Sequence, residues 1–140
     1  MLLKHSLDEK GRVAIPKKFR DLFKAGIVLT RGFDRCLLAY PLDEWRKAED
    51  AYAALRNDSP ELRLVMRHRR IYREEAELDG QGRVLVPSHL REYAGIQDGV
   101  VIGDANPRYL EIWSEEGFLA EEKRMDERVP DLARELQLPQ

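Results

Sequence analysis

Two stretches of this chain repeat one phrase, LDEKGRVAIPKKFR at residues 7–20 and LDGQGRVLVPSHLR at residues 78–91. The stretches lie 71 positions apart, and half of their fourteen positions are identical. Such a repeat within 140 residues indicates a duplicated structural unit, and we call its two occurrences the first copy and the second copy. The identical pairs are Leu7/Leu78, Asp8/Asp79, Gly11/Gly82, Arg12/Arg83, Val13/Val84, Pro16/Pro87 and Arg20/Arg91.

Each copy predicts a polar turn between two short strands. Gly11 and Gly82 supply the permissive backbone that a D-x-x-G-R turn needs, and Asp8 and Asp79 stand where a side chain can order it. The alternating segments RVAIP and RVLVP then predict strands that stop at proline.

A short helix and two more strands follow in each copy. Pro16 and Pro87 suit the first position of a helix, and Gly26 and Gly95 suit its C-terminal end. The later strand-like runs are GIVLTRG and RCLLAYP in the first copy, GVVIGD and RYLEIWS in the second.

Helical sequence fills the rest of the chain. One helix is expected over DEWRKAEDAYAALRND, and a second begins at Ser59–Pro60 and runs through ELRLVMRHRRIYREE. Ser114 is expected to cap a helix over EEGFLAEEKRM, and a last helix is expected from Pro130 to Leu138. The fold class is therefore α+β and β-rich, with two pseudo-repeated modules joined and followed by helices.

The chain divides into two units, residues 1–58 with the first module and its helix, and residues 59–140 with the linking helix, the second module and the C-terminal helices. Units of this size bury only a modest core, so we expect them to interlock or to oligomerise. No linker is rich in Gly, Ser or Pro, which favours packing of the halves against each other.

Charge is distributed unevenly along the chain. The formal net charge is −2, but residues 1–35 carry a net +5 and residues 76–140 a net −7. The first copy is therefore basic and the second acidic, which allows a nucleic-acid partner for the first copy despite the average.

The paired D-x-x-x-R phrases, each followed by G-R-V-x-[IV]-P and a short helix, resemble the MraZ family, and CLLAYPLDEW and EIW extend the likeness over nearly the whole chain. The resemblance implies two AbrB/SpoVT-like swapped-hairpin, double-psi-like modules in one chain. It implies a cytoplasmic, nucleoid-associated transcriptional regulator of the cell-division and cell-wall gene cluster. It also implies a ring-shaped homo-oligomer that binds tandem repeats in double-stranded promoter DNA.

The repeated arginines allow two interpretations. Each arginine either forms a local ion pair with the aspartate of its turn, or projects from the turn to phosphate or the edge of guanine. The residues alone leave both open. The family resemblance favours a DNA contact for Arg12, whereas Arg83 stays ambiguous and is the weaker candidate.

Positions that differ between the copies add a second signal. Four lysines of the first copy align with an acid and three uncharged or weakly charged residues of the second. Lysines clustered around one turn and one helix start favour a DNA-facing surface, since a helix N-terminus also attracts phosphate. The pairs are Lys4/Glu75, Lys10/Gln81, Lys17/Ser88 and Lys18/His89.

A second basic run, RHRRIYR at residues 67–73, could follow a phosphate backbone. The favoured alternative pairs its arginines with Glu61, Glu74, Glu75 or the acids of a neighbouring subunit.

Several classes of function are not expected. The three histidines and Cys36 lack metal-ligand spacing, DGQGR lacks a phosphate-cradling context, and no nucleophile–base arrangement stands out. No stretch is long and apolar enough to span a membrane. We therefore expect no enzyme, no cofactor, no metal, no membrane partner and no small-molecule substrate. The alternatives to a regulator are an antitoxin-like protein-binding module and a structural ring without a specific DNA ligand.

Overall fold

The computed structural model describes residues 2–56 and 58–139. Met1, Asn57 and Gln140, which the two predicted units include, lie outside the described residues. The order of elements in the first copy is β1 (Leu2–Ser6), β2 (Arg12–Ala14), α1 (Lys17–Arg20), a 3₁₀ turn (Asp21–Phe23), β3 (Ile27–Arg31) and β4 (Leu37–Pro41). Helices α2 (Leu42–Ala53) and α3 (Pro60–Arg70) follow. The second copy comprises β5 (Glu74–Ala76), β6 (Arg83–Leu85), α4 (Ser88–Ala94), β7 (Gly99–Asn106) and β8 (Tyr109–Ser114), and α5 (Glu115–Glu135) comes last.

The two copies exchange strands instead of folding separately. The larger sheet has the order β1-β7-β8-β4-β3-β5, so the first strand of each copy pairs with a strand of the other copy. Strands β2 and β6 form a two-stranded sheet of their own, with Val13 opposite Val84. All the pairings are antiparallel. The predicted α+β fold with two repeated modules is confirmed, and the division at residues 58 and 59 stays a prediction about sequence units.

One apolar core lies between the two sheets and takes equivalent residues from both copies. Val13 and Val84 are 0% and 1% exposed, and Ile15 and Val86 are both fully buried. Because neither copy encloses this core alone, the exchanged strands and the shared core stabilise each other. The other fully enclosed members include Phe23, Ile27, Leu29, Leu37, Leu90, Val100, Ile102 and Ile112.

The predicted serine caps and the cap at Gly95 are confirmed, whereas Pro16 and Pro87 stand just before the first residues of their helices and not at the first helical position. The hydroxyl of Ser59 accepts a hydrogen bond from the N–H of Leu62 at 3.0 Å, and that of Ser114 accepts from Gly117 at 2.8 Å. Gly95 ends α4 with a φ of +67°, in the left-handed region that favours glycine.

Gly26 is not a helix cap. Helix α1 has only four residues and continues as the 3₁₀ turn, whose C-terminal flanking residue is Lys24. Gly26 instead donates its N–H to the carbonyl of Phe23 at 3.0 Å and leads into β3 with a φ of +130°.

Helix α2 is shorter than predicted. It ends at Ala53, and Leu55, which the predicted helix includes, lies after it and is 52% exposed. Ser59 caps the N-terminus of α3 shortly afterwards, so the chain turns between the two helices.

Helix α3 is also shorter than predicted. It ends at Arg70, because Glu74–Ala76 pairs with β3 as an edge strand and places Ala76 opposite Ile27. Pairing with a distant strand thus overrides the helical pattern of the local sequence.

The C-terminal sequence forms one helix and not two. Helix α5 is continuous over 21 residues and contains Pro130. The missing N–H of this proline leaves one carbonyl of the preceding turn without a helical partner, and the exposure of that stretch lets water supply the bond.

Candidate nucleic-acid interface

The first turn is shaped by the carboxylate of Asp8. Its Oδ1 atom accepts hydrogen bonds from the backbone N–H groups of Lys10 and Arg12, both at 2.9 Å. Its Oδ2 atom accepts from Nε of Arg12 at 2.8 Å. Gly11 allows this geometry through a φ of +78°. One aspartate therefore orders the turn and fixes the direction of the arginine that follows it.

The second turn has the same construction. Oδ1 of Asp79 accepts from the N–H groups of Gln81 and Arg83 at 2.9 Å, and its Oδ2 accepts from Nε of Arg83 at 2.9 Å. Gly82 has a φ of +74°. The acidic copy has thus kept the whole turn although it has lost the surrounding lysines.

The two turns are joined by ion pairs across the copies. Arg12 Nη1 lies 3.6 Å from Asp79 Oδ2, and Arg83 Nη1 lies 3.5 Å from Asp8 Oδ2. The side chains of Arg12 and Arg83 are 27% and 28% exposed, so each guanidinium is oriented by two carboxylates and still reaches solvent. Both interpretations of the repeated arginines remain compatible with this geometry, since the ion pairs form and the guanidinium groups stay accessible.

The carboxylates of the two turns titrate below their ordinary range. The hydrogen bond from the backbone N–H of Arg12 is the main reason that the pKa of Asp8 lies below 3.8, and the Arg12 side chain lowers it further. The N–H of Arg83 lowers the pKa of Asp79 in the same way. Both aspartates therefore stay charged well below neutral pH.

A third repeated residue, the arginine four positions after the proline of each copy, packs on the turn of the other copy. Nε of Arg20 donates to the carbonyl of Ile15 at 2.8 Å, and a Cβ added to Gly82 would lie 2.2 Å from that nitrogen. The guanidinium of Arg91 lies against Gly11 in the same manner, with a Cβ there 3.4 Å from Cζ. We assigned no role to these arginines from the sequence, although their identity in both copies was a signal.

The four lysines of the first copy are all exposed. Lys10 lies in the turn beside Arg12, Lys4 lies on β1, which leads into the turn, and Lys17 and Lys18 begin α1. Because α1 is a single turn of helix, its dipole adds little to phosphate attraction, and the charge of the lysines is what remains. The role of these side chains in binding DNA stays a prediction.

Similarity to known proteins identifies the family. The family described as "MraZ protein, putative antitoxin-like" matches residues 3–68 and 73–135. The chain belongs to the MraZ family. It is 39% identical over 133 residues to a protein of Thermomicrobium roseum, covering 94% of this chain and 92% of the relative. It is 40% identical over 132 residues to one of Caldanaerobacter subterraneus, covering 94% and 92%, and 44% identical over 110 residues to one of Roseiflexus castenholzii, covering 79% and 76%. All three relatives are named "Transcriptional regulator MraZ".

The basic run RHRRIYR of this MraZ chain is largely structural. Arg69 is 4% exposed and forms an ion pair with Glu49 of α2, and Arg70 Nε lies 2.8 Å from the same carboxylate. Within the described residues, the pair between Arg73 and Glu75, at 3.9 Å, is the only ion pair of this run that involves an acid predicted as its partner. A buried Arg69 is out of reach of a phosphate backbone.

Aromatic rings complete the environment of Arg69. Its guanidinium lies 4.1 Å from the ring centre of Trp45 and 4.4 Å from that of Tyr52. The carbonyl of Arg69 also accepts a hydrogen bond from Thr30 at 2.6 Å. Arg69 therefore joins α3 to α2 and to β3.

Three further features of the described residues concern metal binding, membrane spanning and thiol reactivity. Among the described residues no group of three or more His, Cys, Asp and Glu side chains could hold a metal ion. None of the helices in residues 2–56 and 58–139 is long and apolar enough to cross a membrane. Cys36 is 1% exposed, and burial, assisted by Glu111 and Asp34, raises the pKa of its thiol to about 12, so it is chemically quiet.

Proposed function

We propose that this MraZ chain is a sequence-specific DNA-binding transcriptional regulator, not an enzyme. The names of its relatives support regulation of transcription, and the geometry of the paired turns supports direct contact with DNA. We further propose that it acts in the cytoplasm at the nucleoid, on the cell-division and cell-wall gene cluster.

The observation that carries the proposal is the arrangement of Arg12. Its Nε is bonded to Asp8 at 2.8 Å, its Nη1 faces Asp79 at 3.6 Å, and about a quarter of the side chain is exposed. A guanidinium held in a fixed direction at the tip of a turn suits bidentate recognition of a guanine edge, because little rotamer entropy is lost on binding. Arg83 occupies the equivalent place in the second turn and is the weaker candidate.

Attraction to the phosphates must come from other residues. The two arginines and two aspartates of the paired turns cancel in charge, so this cluster contributes orientation and not net attraction. We propose that Lys4, Lys10, Lys17 and Lys18 supply the attraction. Base contacts then specify the sequence, and phosphate contacts position the protein on it.

The small number of lysines favours binding by several protomers at once. About three phosphate contacts per protomer would give a log–log salt slope of only about −3, which is typical of weak association. Two or three protomers of a ring on adjacent promoter repeats would raise the slope to roughly −6 to −9 and add avidity. We therefore propose a ring-shaped homo-oligomer on tandem repeats.

A protein-binding, antitoxin-like function is the second candidate. The net charge of −7 over residues 76–140 and the description of the family favour it. Helix α5 continues to Glu135, whereas antitoxins usually pair one module with a disordered tail, so the DNA-binding proposal is preferred.

A gel shift with the DNA upstream of the chain's own gene tests the proposal. The Arg12→Ala variant should lose specific binding and keep its assembly state, whereas Arg46→Ala, an exposed arginine on α2, should bind like the wild type. Wild-type affinity in Arg12→Ala would refute the role of Arg12. No shift with the wild-type protein at either of two salt concentrations would favour the protein-binding module or a structural ring.

A further inference from the structure

A groove lies between the end of α2 and the outer side of α3. It has a volume of about 370 Å³, and Leu55, one of its lining residues, is 52% exposed. Exposed apolar grooves are among the surfaces through which proteins bind partners. The groove is lined by Tyr52, Leu55, Asp58, Leu62, Arg63, Met66 and Arg67.

Two arginines against one acid, Asp58, give the lining of the groove a net positive charge. In the part of the chain that the structure describes, Arg67 has no ion pair and no side-chain hydrogen bond. Among the described residues, the ion-pair partner of Arg63 is Asp58, whose side chain is 94% exposed, and such an exposed pair is weak.

The second half of α5 presents a matching surface. No residue of α5 is buried, and Met125, Val129 and Leu136 are 40%, 52% and 63% exposed. Their spacing of four and seven residues places them on one side of the helix. Glu122 and Asp126 lie next to this stripe by the same geometry, are exposed, and form no ion pair within residues 2–56 and 58–139.

The two surfaces are complementary in charge and in spacing. Glu122 and Asp126 are four residues apart on α5, as Arg63 and Arg67 are on α3, so one turn of each helix can bring both pairs together. The apolar stripe of α5 would then pack in the apolar groove beside these charge pairs. We propose that the second half of α5 of one protomer docks in the α2–α3 groove of the next protomer.

This proposal rests on the proposed function, because the contact would form the interface between neighbouring protomers of the ring. The groove and the second half of α5 both stay exposed in the single chain. A contact between two different surfaces of identical chains is heterologous, and it closes into a ring when the rotation between neighbours allows. The occupant is therefore a second copy of this chain.

Charge reversal with mixing tests the contact. The groove variant is Arg63→Glu/Arg67→Glu, and the helix variant is Glu122→Arg/Asp126→Arg. Each alone should fall to monomer when its mass is measured by light scattering after gel filtration at about 0.1 M salt. An equimolar mixture should assemble again, because each joint then pairs two wild-type surfaces or two reversed surfaces.

The matched control is Arg46→Glu/Arg108→Glu, which makes the same change in charge on exposed arginines outside the groove and should assemble like the wild type. A monomeric wild type, a reversed variant that assembles normally, or a mixture that stays monomeric would overturn the proposal. Circular dichroism checks folding. If a reversal unfolds the chain, Arg67→Gln and Asp126→Asn replace it and should move the assembly midpoint to higher protein concentration.

DNA binding separates this proposal from the proposed function. The groove variant should still bind a duplex with one repeat as well as the charge-matched control does, because the Arg12 turn is unaltered, and should lose only the avidity on several repeats. A wild-type oligomer that binds no DNA would refute the regulator and leave the contact standing. A monomeric protein that binds DNA would refute the contact and leave the proposed regulator standing.

Discussion

The guanidinium of Arg83 reaches the carboxylate of Asp8 at 3.5 Å, although 75 positions separate the two residues in the sequence. The reciprocal distance, between Arg12 Nη1 and Asp79 Oδ2, is 3.6 Å. Each turn is therefore shaped by its own aspartate and also faces the charge of the other copy. A substitution in one turn should therefore alter the geometry of the other turn.

Replacing Asp8 with asparagine separates the role of its carboxylate in orienting Arg12 from the effect of its negative charge. Removing a negative charge near DNA should tighten binding if charge alone matters, whereas loss of the acceptor for Arg12 Nε should weaken specific binding. We expect the ratio of affinities for the specific and a scrambled duplex to fall roughly 5- to 150-fold, which corresponds to about 1–3 kcal/mol, the value of one well-placed bidentate contact. Fluorescence anisotropy with both duplexes at one salt concentration measures this ratio.

The control for that change is Glu9→Gln, which removes the same charge from an exposed neighbour that does not bond Arg12. Its specificity ratio should match that of the wild type. An unchanged ratio in Asp8→Asn would mean that the carboxylate does not orient a base-reading arginine.

Stability should depend on pH through the two aspartates. Their pKa values are lower in the folded chain than the ordinary 3.8, so the unfolded chain binds more protons in this range. Their contribution is present above about pH 4 and is lost as pH falls through the folded-state values. Urea unfolding of the wild type and of Asp8→Asn/Asp79→Asn should show a gap at pH 7 that narrows below pH 4. A gap that widens on acidification would contradict this assignment.

Substitution by alanine should destabilise the fold at Gly82 and have little effect at the neighbouring Gly80. Gly82 has a φ of +74°, and a Cβ there would lie 2.2 Å from Arg20 Nε, whereas nothing lies within 4 Å of a Cβ at Gly80. We expect Gly82→Ala to lower the free energy of unfolding by roughly 1–2 kcal/mol or more and Gly80→Ala to leave it nearly unchanged. Chemical denaturation at one protein concentration compares them, and equal effects would show that the contact of Arg20 on the second turn is unimportant.

Burial of Arg69 gives a stability prediction for the basic run. Arg69→Met removes one partner of a buried ion pair and leaves Glu49 with Arg70 alone, so we expect a loss of about 3 kcal/mol in the free energy of unfolding. Arg46→Met, on an exposed position of α2, is the control and should cost little. A stable Arg69→Met with weakened DNA binding would instead support phosphate contact by this run.

The repeated phrase was enough to predict most of the architecture. A D-x-x-G-R turn, a strand that ends at proline and a short helix follow from local chemistry, and both copies contain them in that order. The aspartate–arginine pairing within each turn was also one of the two stated interpretations, since the residues lie four positions apart.

Relationships between distant segments could not be predicted in this way. The early end of α3 follows from the pairing of Ala76 with Ile27, and the partner of Arg69 proved to be Glu49 on α2. The contact of Arg20 with the second turn likewise depends on the exchange of strands between the copies. Local propensity carries no information about which strand or acid a segment will meet.

The most direct test of the account gives the first copy the uncharged residues of the second. The variant Lys10→Gln/Lys17→Ser/Lys18→His removes three lysines and leaves both turns, with Asp8 and Arg12, unaltered. Binding to the upstream DNA is measured against salt concentration. The account predicts weaker binding and a log–log slope less steep by about 0.9 for each lost phosphate contact. An affinity and a slope equal to those of the wild type would contradict the claim that the basic first copy meets the DNA.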